Sequence, residues 1–278
     1  MSTENSVPYE YIPRTQDERR RLQAQYPFFK KHFCRDRVIF NEAVTLRDDA
    51  SVLDVGTGAG SWPLDLAQSV PASVSIYGVD ISTTLFPETH APNVVFSDHS
   101  GTALPQNWTD KFDFVNQNLL SAAFTRDDWI QNLKELFRVT KPGGYIQLLE
   151  PSHESWDCPP DSASDKMKSI YTGLFKNTSL IHDIGERLPQ MLLDAGFVDV
   201  GQHKSPYPVN ALNGGISGQQ GAEINIRWLR CLQPSMLRLG LIDSAEEYES
   251  LLKEMQEEWN QGIPYEDYFV IHAKKPVA

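Results

Sequence analysis

Asp54, Gly56, Gly58 and Gly60 stand at alternate positions in SVLDVGTGAGSWPLDLA, residues 51–67, where an apolar run gives way to a helix-like run. Glycines this dense let a ligand approach the backbone closely. In the dinucleotide fingerprint the third glycine falls five residues after the first. Here that position is Ser61, and Gly60 comes four after Gly56. A carboxylate at Asp54, two residues before the first glycine, would repel a pyrophosphate but suits a ligand carrying an ammonium group. Asp80 closes YGVDIS twenty-four residues after Gly56. An acid at such a strand end can accept both hydroxyls of a ribose. Farther on, LLEPSHESW brings Glu150, His153 and Glu154 together, and His153 is the group able to take a proton near neutral pH.

These side chains need strand ends to present them. SVLDV reads as a first strand, Ser61–Ser69 as a helix, and SVSIYGVD, NVVFSD and FDFVNQNLL as strands two to four. TRDDWIQNLKELFRVT is an amphipathic helix, capped by Thr125 and favoured at its positive end by Asp127 and Asp128. KPGG then turns the chain into YIQLLE. Strands alternating with helices imply parallel strands joined by right-handed crossovers, an α/β doubly wound sheet with its site at the strand C-terminal ends.

Residues 1 to about 13 are expected to be poorly ordered unless docked. TQDERRRLQAQYPFFKKHF reads as a helix, with Thr15 capping toward Glu18, Leu22, Tyr26 and Phe29 at helical spacing, and Pro27 ending or bending it. After Pro151 the alternation lapses, then resumes in IGERLPQMLLDAGFVDVGQH, a helix stopped at Gly196 followed by a strand. A second lapse holds a loop, NALNGGISGQQG, and two amphipathic helices, the second opening with Ser244 capping toward Glu247; YEDYFVIHAKK is the last strand. The expected organisation is an N-terminal helical arm over residues 1–48 and one domain over 49–278, with insertions at about 151–183 and 205–262. The apolar content of the insertions, including Trp156, Tyr171, Phe175, Trp228 and Trp259, reads as a lid.

Composition narrows the function. The chain has 278 residues, 40% of them hydrophobic, and no apolar run approaches the roughly 20 residues a bilayer span needs. MSTENSVPYEYIPRTQDERRR has no apolar core between its charges, so no secretory signal is expected. Cys34, Cys158 and Cys231 are isolated, which points to neither disulfides nor zinc, and a cytoplasmic setting is expected. The net charge of −12 argues against a nucleic-acid partner, which calls for a basic face. A small-molecule substrate, no membrane partner and a monomer or weak dimer are expected.

The D-x-G-x-G-x-G pattern resembles the first motif of the class I S-adenosylmethionine-dependent methyltransferases. Asp80, Asp98 in VVFSDHSG, FDFVNQNLL, KPGGYIQLLE and DAGF match further motifs of that family in order. The resemblance implies a seven-stranded Rossmann-like sheet with the helical arm and insertions as its lid, and S-adenosylmethionine as cofactor. It implies cofactor contacts at Asp54, Gly56, Thr57, Gly58, Gly60, Trp62, Asp80, Ile81, Asp98, His99 and Asn116. Ile81 would pack on the adenine and Asp98 lie near its amino group. Tyr11 and Arg14 of the arm are expected near the cofactor, and Phe28, Phe29, Trp156, Tyr171, Phe175 and Trp228 around the acceptor.

The acceptor is harder to read. NQNLL ends the fourth strand where an N/D-P-P-Y/F tetrapeptide would mark methylation of nucleobase amines or protein glutamine. Asp161 and Asp165 in DSASD read as a helix start, so no metal is expected. His153 and Glu150 are the candidate catalytic residues. GTGAGSWPLDLA and RDDW are similar to fungal secondary-metabolite methyltransferases, a group that includes regulators as well as tailoring enzymes. That likeness implies S-methylation of the thiols of a reduced dithiol diketopiperazine of the gliotoxin type. O- or N-methylation of another small aromatic metabolite, and a cofactor-binding regulatory protein, are the alternatives. A nicotinamide-dependent reductase is disfavoured by Ser61 and Asp54.

Overall fold

The computed structural model describes residues 12–262 and 265–277, without the side chains of 211–214. An arm helix, α1 (Gln16–Phe33), precedes β1 (Ser51–Val55), α2 (Ser61–Ser69), β2 (Ser75–Asp80), β3 (Val94–Asp98) and β4 (Phe112–Asn118). Then come α3 (Arg126–Val139), β5 (Thr140–Ser152), α4 (Ala163–Thr178), α5 (Ile184–Asp194), β6 (Val198–Pro206), α6 (Ala211–Arg238), α7 (Ala245–Asn260) and β7 (Asp267–Lys274). The sheet order is β3-β2-β1-β4-β5-β7-β6. β1 to β5 pair in parallel, whereas β7 runs antiparallel to both β5 and β6. That reversal follows from the route: β7 is fed from the strand C-terminal ends, where Asp267 pairs with Ser152, and can only run back.

Local chemistry sets the helix starts. Thr15, Thr125 and Ser244 each accept a backbone N–H from the residue three positions on, and Asp128 completes a capping box with Thr125. Pro27 does not end α1, which runs through it to Phe33. The proline forfeits one intrahelical bond. Phe28, Phe29 and Phe33 just beyond it are buried, and each such ring stabilises by about 1.5–3 kcal/mol.

The glycine-rich segment expected as a loop lies within α6, which is kinked at Gly215. Its glycines serve close approach. A Cβ at Gly218 would lie 1.8 Å from the carbonyl oxygen of Asn210, and one at Gly221 1.8 Å from that of Pro208.

Apolar side chains cover both sheet faces. Trp129, Leu133, Leu136, Leu188 and Leu192 pack from α3 and α5 on one side, and Trp62 and Leu66 from α2 on the other. A third cluster joins α1 to α4, α6 and α7 through Phe29, Tyr171, Leu229 and Trp259. The arm and both insertions therefore share one core above the strand C-terminal ends.

Candidate active site

β1 and β4 are neighbours at the point where the chain switches direction across the sheet, and the glycine loop leaves β1 there. Such a switch point opens a crevice. Gly56, Gly58 and Gly60 have φ of 69°, 53° and 72°, a region that only glycine enters without strain. A Cβ on Gly60 would also sit 2.7 Å from the Phe96 ring.

Asp54 and Asp80 flank the loop. Asp54 is buried and accepts from Nδ2 of Asn116 at 2.7 Å. Gln147 donates to Asn116 at 3.2 Å and accepts the N–H of Phe40 at 2.7 Å. The row is built by register, since Asp54 faces Asn116 across β1 and β4, and Asn116 faces Gln147 across β4 and β5. Burial pushes Asp54 up to about 7, against the pull of Thr57 and Asn116. Asp80 accepts the N–H groups of Gly58 at 2.9 Å and Ser82 at 3.2 Å, and burial raises it too, opposed in part by those bonds and the charge of Arg14.

A cleft of about 1340 Å³, open mouth included, runs from this loop into the helical cap. At the loop end Asp54, Gly56, Thr57, Gly58 and Asn118 line it. At the far end stand Phe29, Tyr171, Phe175, Tyr207, Trp228 and Tyr268, with His153 in the wall. Nδ1 of His153 pairs with the carboxylate of Glu266, which is 1% exposed. The imidazole packs between Tyr171 and Phe175, at centroid distances of 5.1 and 4.9 Å.

Residues 52–144 match a family model described as a methyltransferase domain. The chain is 28% identical over 272 residues to the N-methyltransferase tcpN of Claviceps purpurea, covering 92% of this chain and 94% of that one. It is 28% identical over 208 residues to the N-methyltransferase gliN of Aspergillus fumigatus, covering 70% of each. This chain is an S-adenosylmethionine-dependent methyltransferase. It is similar to fungal N-methyltransferases. Among solved structures, a phosphoethanolamine N-methyltransferase 2 of Haemonchus contortus shares the fold at a TM-score of 0.60 and 14% identity. The match covers 98% of this chain and 60% of that one, so this methyltransferase spans about three-fifths of that enzyme's length. A methyltransferase of Methanosarcina mazei matches at a TM-score of 0.51 and 18% identity, over 84% of this chain and 95% of its own.

Within the methyltransferase, the structure sorts the expected site residues. Asp54, Gly56, Thr57 and Gly58 line the cleft, Gly60 caps α2 behind it, and Asp80 anchors the loop from below. Ile81 is 55% exposed at the end of β2, an apolar side chain left at the surface beside the loop. Asp98 is exposed opposite Asp80, and His99 donates its N–H to the Asp80 carbonyl at 3.1 Å while its ring meets Trp108. Tyr11 lies outside the described residues.

Several expectations are corrected. Asn116 is wholly buried and holds Asp54 from within the sheet; Asn118, two residues on, lines the cleft. Glu150 does not line it. Its carboxylate accepts the N–H groups of Leu120 at 2.8 Å and Ser121 at 3.0 Å, which fixes the loop after β4, and burial pushes it up to about 8. Trp62 touches the cleft but mainly stacks on Phe114 and donates to the Val38 carbonyl at 3.1 Å. Phe28 and Trp156 pack behind the wall that Phe29 and Tyr171 form. Arg14 acts on Asp80 through its charge and does not line the cleft.

Sequence reasoning missed Arg21, Gln25, Tyr207, Asn225, Tyr268 and Glu266. For Gln25 a signal existed, because it sits one helical turn from both Leu22 and Phe29, and Arg21 sits one turn before Gln25. Among the described residues no group of three or more His, Cys, Asp or Glu side chains is placed to hold a metal, and no helix is long and apolar enough to cross a membrane.

Proposed function

We propose that the enzyme methylates a nitrogen of a small, largely apolar secondary metabolite, with His153 taking the proton. The carrying observation is one continuous cleft that joins the glycine loop to an aromatic chamber with an imidazole in its wall. S-adenosylmethionine, when bound, supplies a methyl group already activated on a sulfonium. The residues fit it: Asp54 is a buried carboxylate for the ammonium, Asp80 an acceptor for ribose hydroxyls, and the loop backbone leaves room for close approach.

The aromatic wall orients a flat acceptor and excludes water. With the cofactor bound, the cleft would hold the acceptor nitrogen in line with the methyl carbon, so that the N–CH₃ bond would form as the S–CH₃ bond breaks and sulfur keeps that electron pair. The proton on nitrogen goes to the imidazole of His153. Nitrogen is favoured over sulfur because curated relatives, tcpN and gliN among them, carry the name N-methyltransferase. The expected S-methylation of a dithiol diketopiperazine draws no support from them, and a thiol needs little help to lose its proton. The net charge of −12 further supports a small molecule over a nucleic acid.

Isotope-labelled methyl transfer to cyclic aromatic dipeptides tests this reading. The probes carry, in turn, free amide nitrogens, added thiols and a phenol, and mass spectrometry locates the label. Label on nitrogen is expected; label on sulfur or oxygen alone would overturn the assignment.

A further inference from the structure

We propose that Glu266 is a positioning residue that holds the proton of His153 on Nδ1 and so keeps Nε2 as the proton-accepting nitrogen. The inference deepens the nitrogen-methylation reading and rests on its placement of His153 at the acceptor.

The two residues are 113 positions apart in the chain, and the structure fastens them together twice. Nδ1 of His153 pairs with Oε2 of Glu266 directly. The hydroxyl of Ser155, on the same short turn as His153, accepts the N–H of Asp267 at 2.8 Å. The His153 N–H also donates to the His182 carbonyl at 2.9 Å, and the Glu266 carbonyl accepts the N–H of Tyr207 at 3.0 Å. Both backbones are therefore held where the side chains meet.

The environment explains why the pairing matters. A carboxylate as buried as Glu266 is costly unless it accepts charge-assisted hydrogen bonds. Tyr171 of α4, Tyr207 after β6, Tyr265 just before β7 and Tyr268 at its start surround it; burial above all, with the negative charge of Glu266 among the further causes, raises all four phenols. Those hydroxyls stay protonated and cannot compete as bases. Arg21 of α1, which bears on Tyr207, is held by Glu18 of its own helix at 2.6 Å. On the outer side His182 pairs with Glu154 at 3.0 Å, away from Glu266.

A carboxylate accepts hydrogen bonds and has no proton to give when ionised, so the imidazole nitrogen facing it must carry the hydrogen. The other nitrogen then has a free lone pair. After it takes the acceptor's proton, the imidazolium is stabilised by the same carboxylate. A glutamine at 266 would offer an amide N–H as well as a carbonyl and would admit the wrong tautomer.

The test uses the full chain, with ¹⁵N-labelled histidine, saturated with S-adenosylhomocysteine. The His153 signals are assigned by their loss in His153→Gln. In the parent, Nδ1 is expected to be the protonated nitrogen and Nε2 the bare one. In Glu266→Gln the tautomer should become mixed or reversed. Methyl transfer to the amide-bearing dipeptide should fall at least about tenfold in kcat, with KM for S-adenosylmethionine unchanged. A parent His153 protonated on Nε2, or a Glu266→Gln protein whose tautomer matches the parent, would overturn the proposal. The first of those readouts needs no Glu266 variant to fold, only the His153→Gln protein used for assignment. Because neither depends on the acceptor, methyl transfer to sulfur would sink the nitrogen reading and leave this one standing.

Discussion

The N–H of Gly58 donates to Oδ2 of Asp80 across 2.9 Å, so the carboxylate at the end of β2 holds the glycine loop at the end of β1. One residue thus shapes the loop and, in the proposed reading, would also accept the ribose hydroxyls. Asp80→Ala should remove both roles and weaken S-adenosylhomocysteine binding at least roughly tenfold, about 1.5–3 kcal/mol. Asp80→Asn keeps a carbonyl for the Gly58 N–H and should fall between. Calorimetry on proteins with parent-like circular dichroism measures this, and equal affinity in Asp80→Ala would remove the ribose from this position.

Gly58 has φ of 53°, and a Cβ there would lie 3.2 Å from Leu22 of α1. Gly58→Val should strain the loop and push into the space between loop and arm. The protein should still fold, but S-adenosylhomocysteine should no longer raise its melting temperature. An unchanged thermal shift would make the loop a packing turn only.

Cofactor affinity should depend on pH through Asp54. Burial lifts this carboxyl to about 7 in the free protein, whereas an ammonium beside it favours the ionised form. Binding therefore releases a proton below that value. Affinity should fall as pH drops below about 7, by up to about tenfold per pH unit. Asp54→Asn should bind more weakly and flatten the profile. A flat parent profile between pH 5.5 and 8 would place the ammonium elsewhere.

Glu150 should behave as a structural acid. Its folded value, about 8, lies above the ordinary carboxyl range because of burial, so its contribution to stability is present at low pH and lost as pH rises toward 8. Glu150→Gln cannot titrate and gives up one of the two bonds to Leu120 and Ser121. Chemical denaturation should show the variant farther below the parent at pH 5 than at pH 8. A gap that widens with pH would contradict this sign.

Trp228 should shape the acceptor chamber without serving the cofactor. It lines the far end of the cleft, with the Arg21 guanidinium 5.3 Å from its ring centroid. Trp228→Ala should raise KM for the amide-bearing dipeptide about tenfold and leave S-adenosylhomocysteine affinity unchanged. Equal loss of both would place the indole at the cofactor instead.

Some of this molecule was legible in local sequence. The glycine spacing, Asp54 before it, Asp80 closing the next strand and the caps at Thr15, Thr125 and Ser244 are all short-range features. Each depends on residues a few positions apart, and backbone sterics and hydrogen bonding dictate them without reference to the rest of the chain. Other assignments needed distant segments. Phe28 and Phe29 are neighbours on one helix, yet only Phe29 lines the cleft, because the way α6 packs on α1 decides which side faces inward. Asn116 and Asn118 share a strand face, and register against Asp54 and Gln147 turns the first into a sheet-interior tether and leaves the second at the cleft. Glu150 looked like a base at a strand end, but the loop after β4 folds back and occupies both its oxygens. The His153–Glu266 pair spans 113 residues and exists because β7 runs back between β5 and β6, a pairing that no local periodicity encodes.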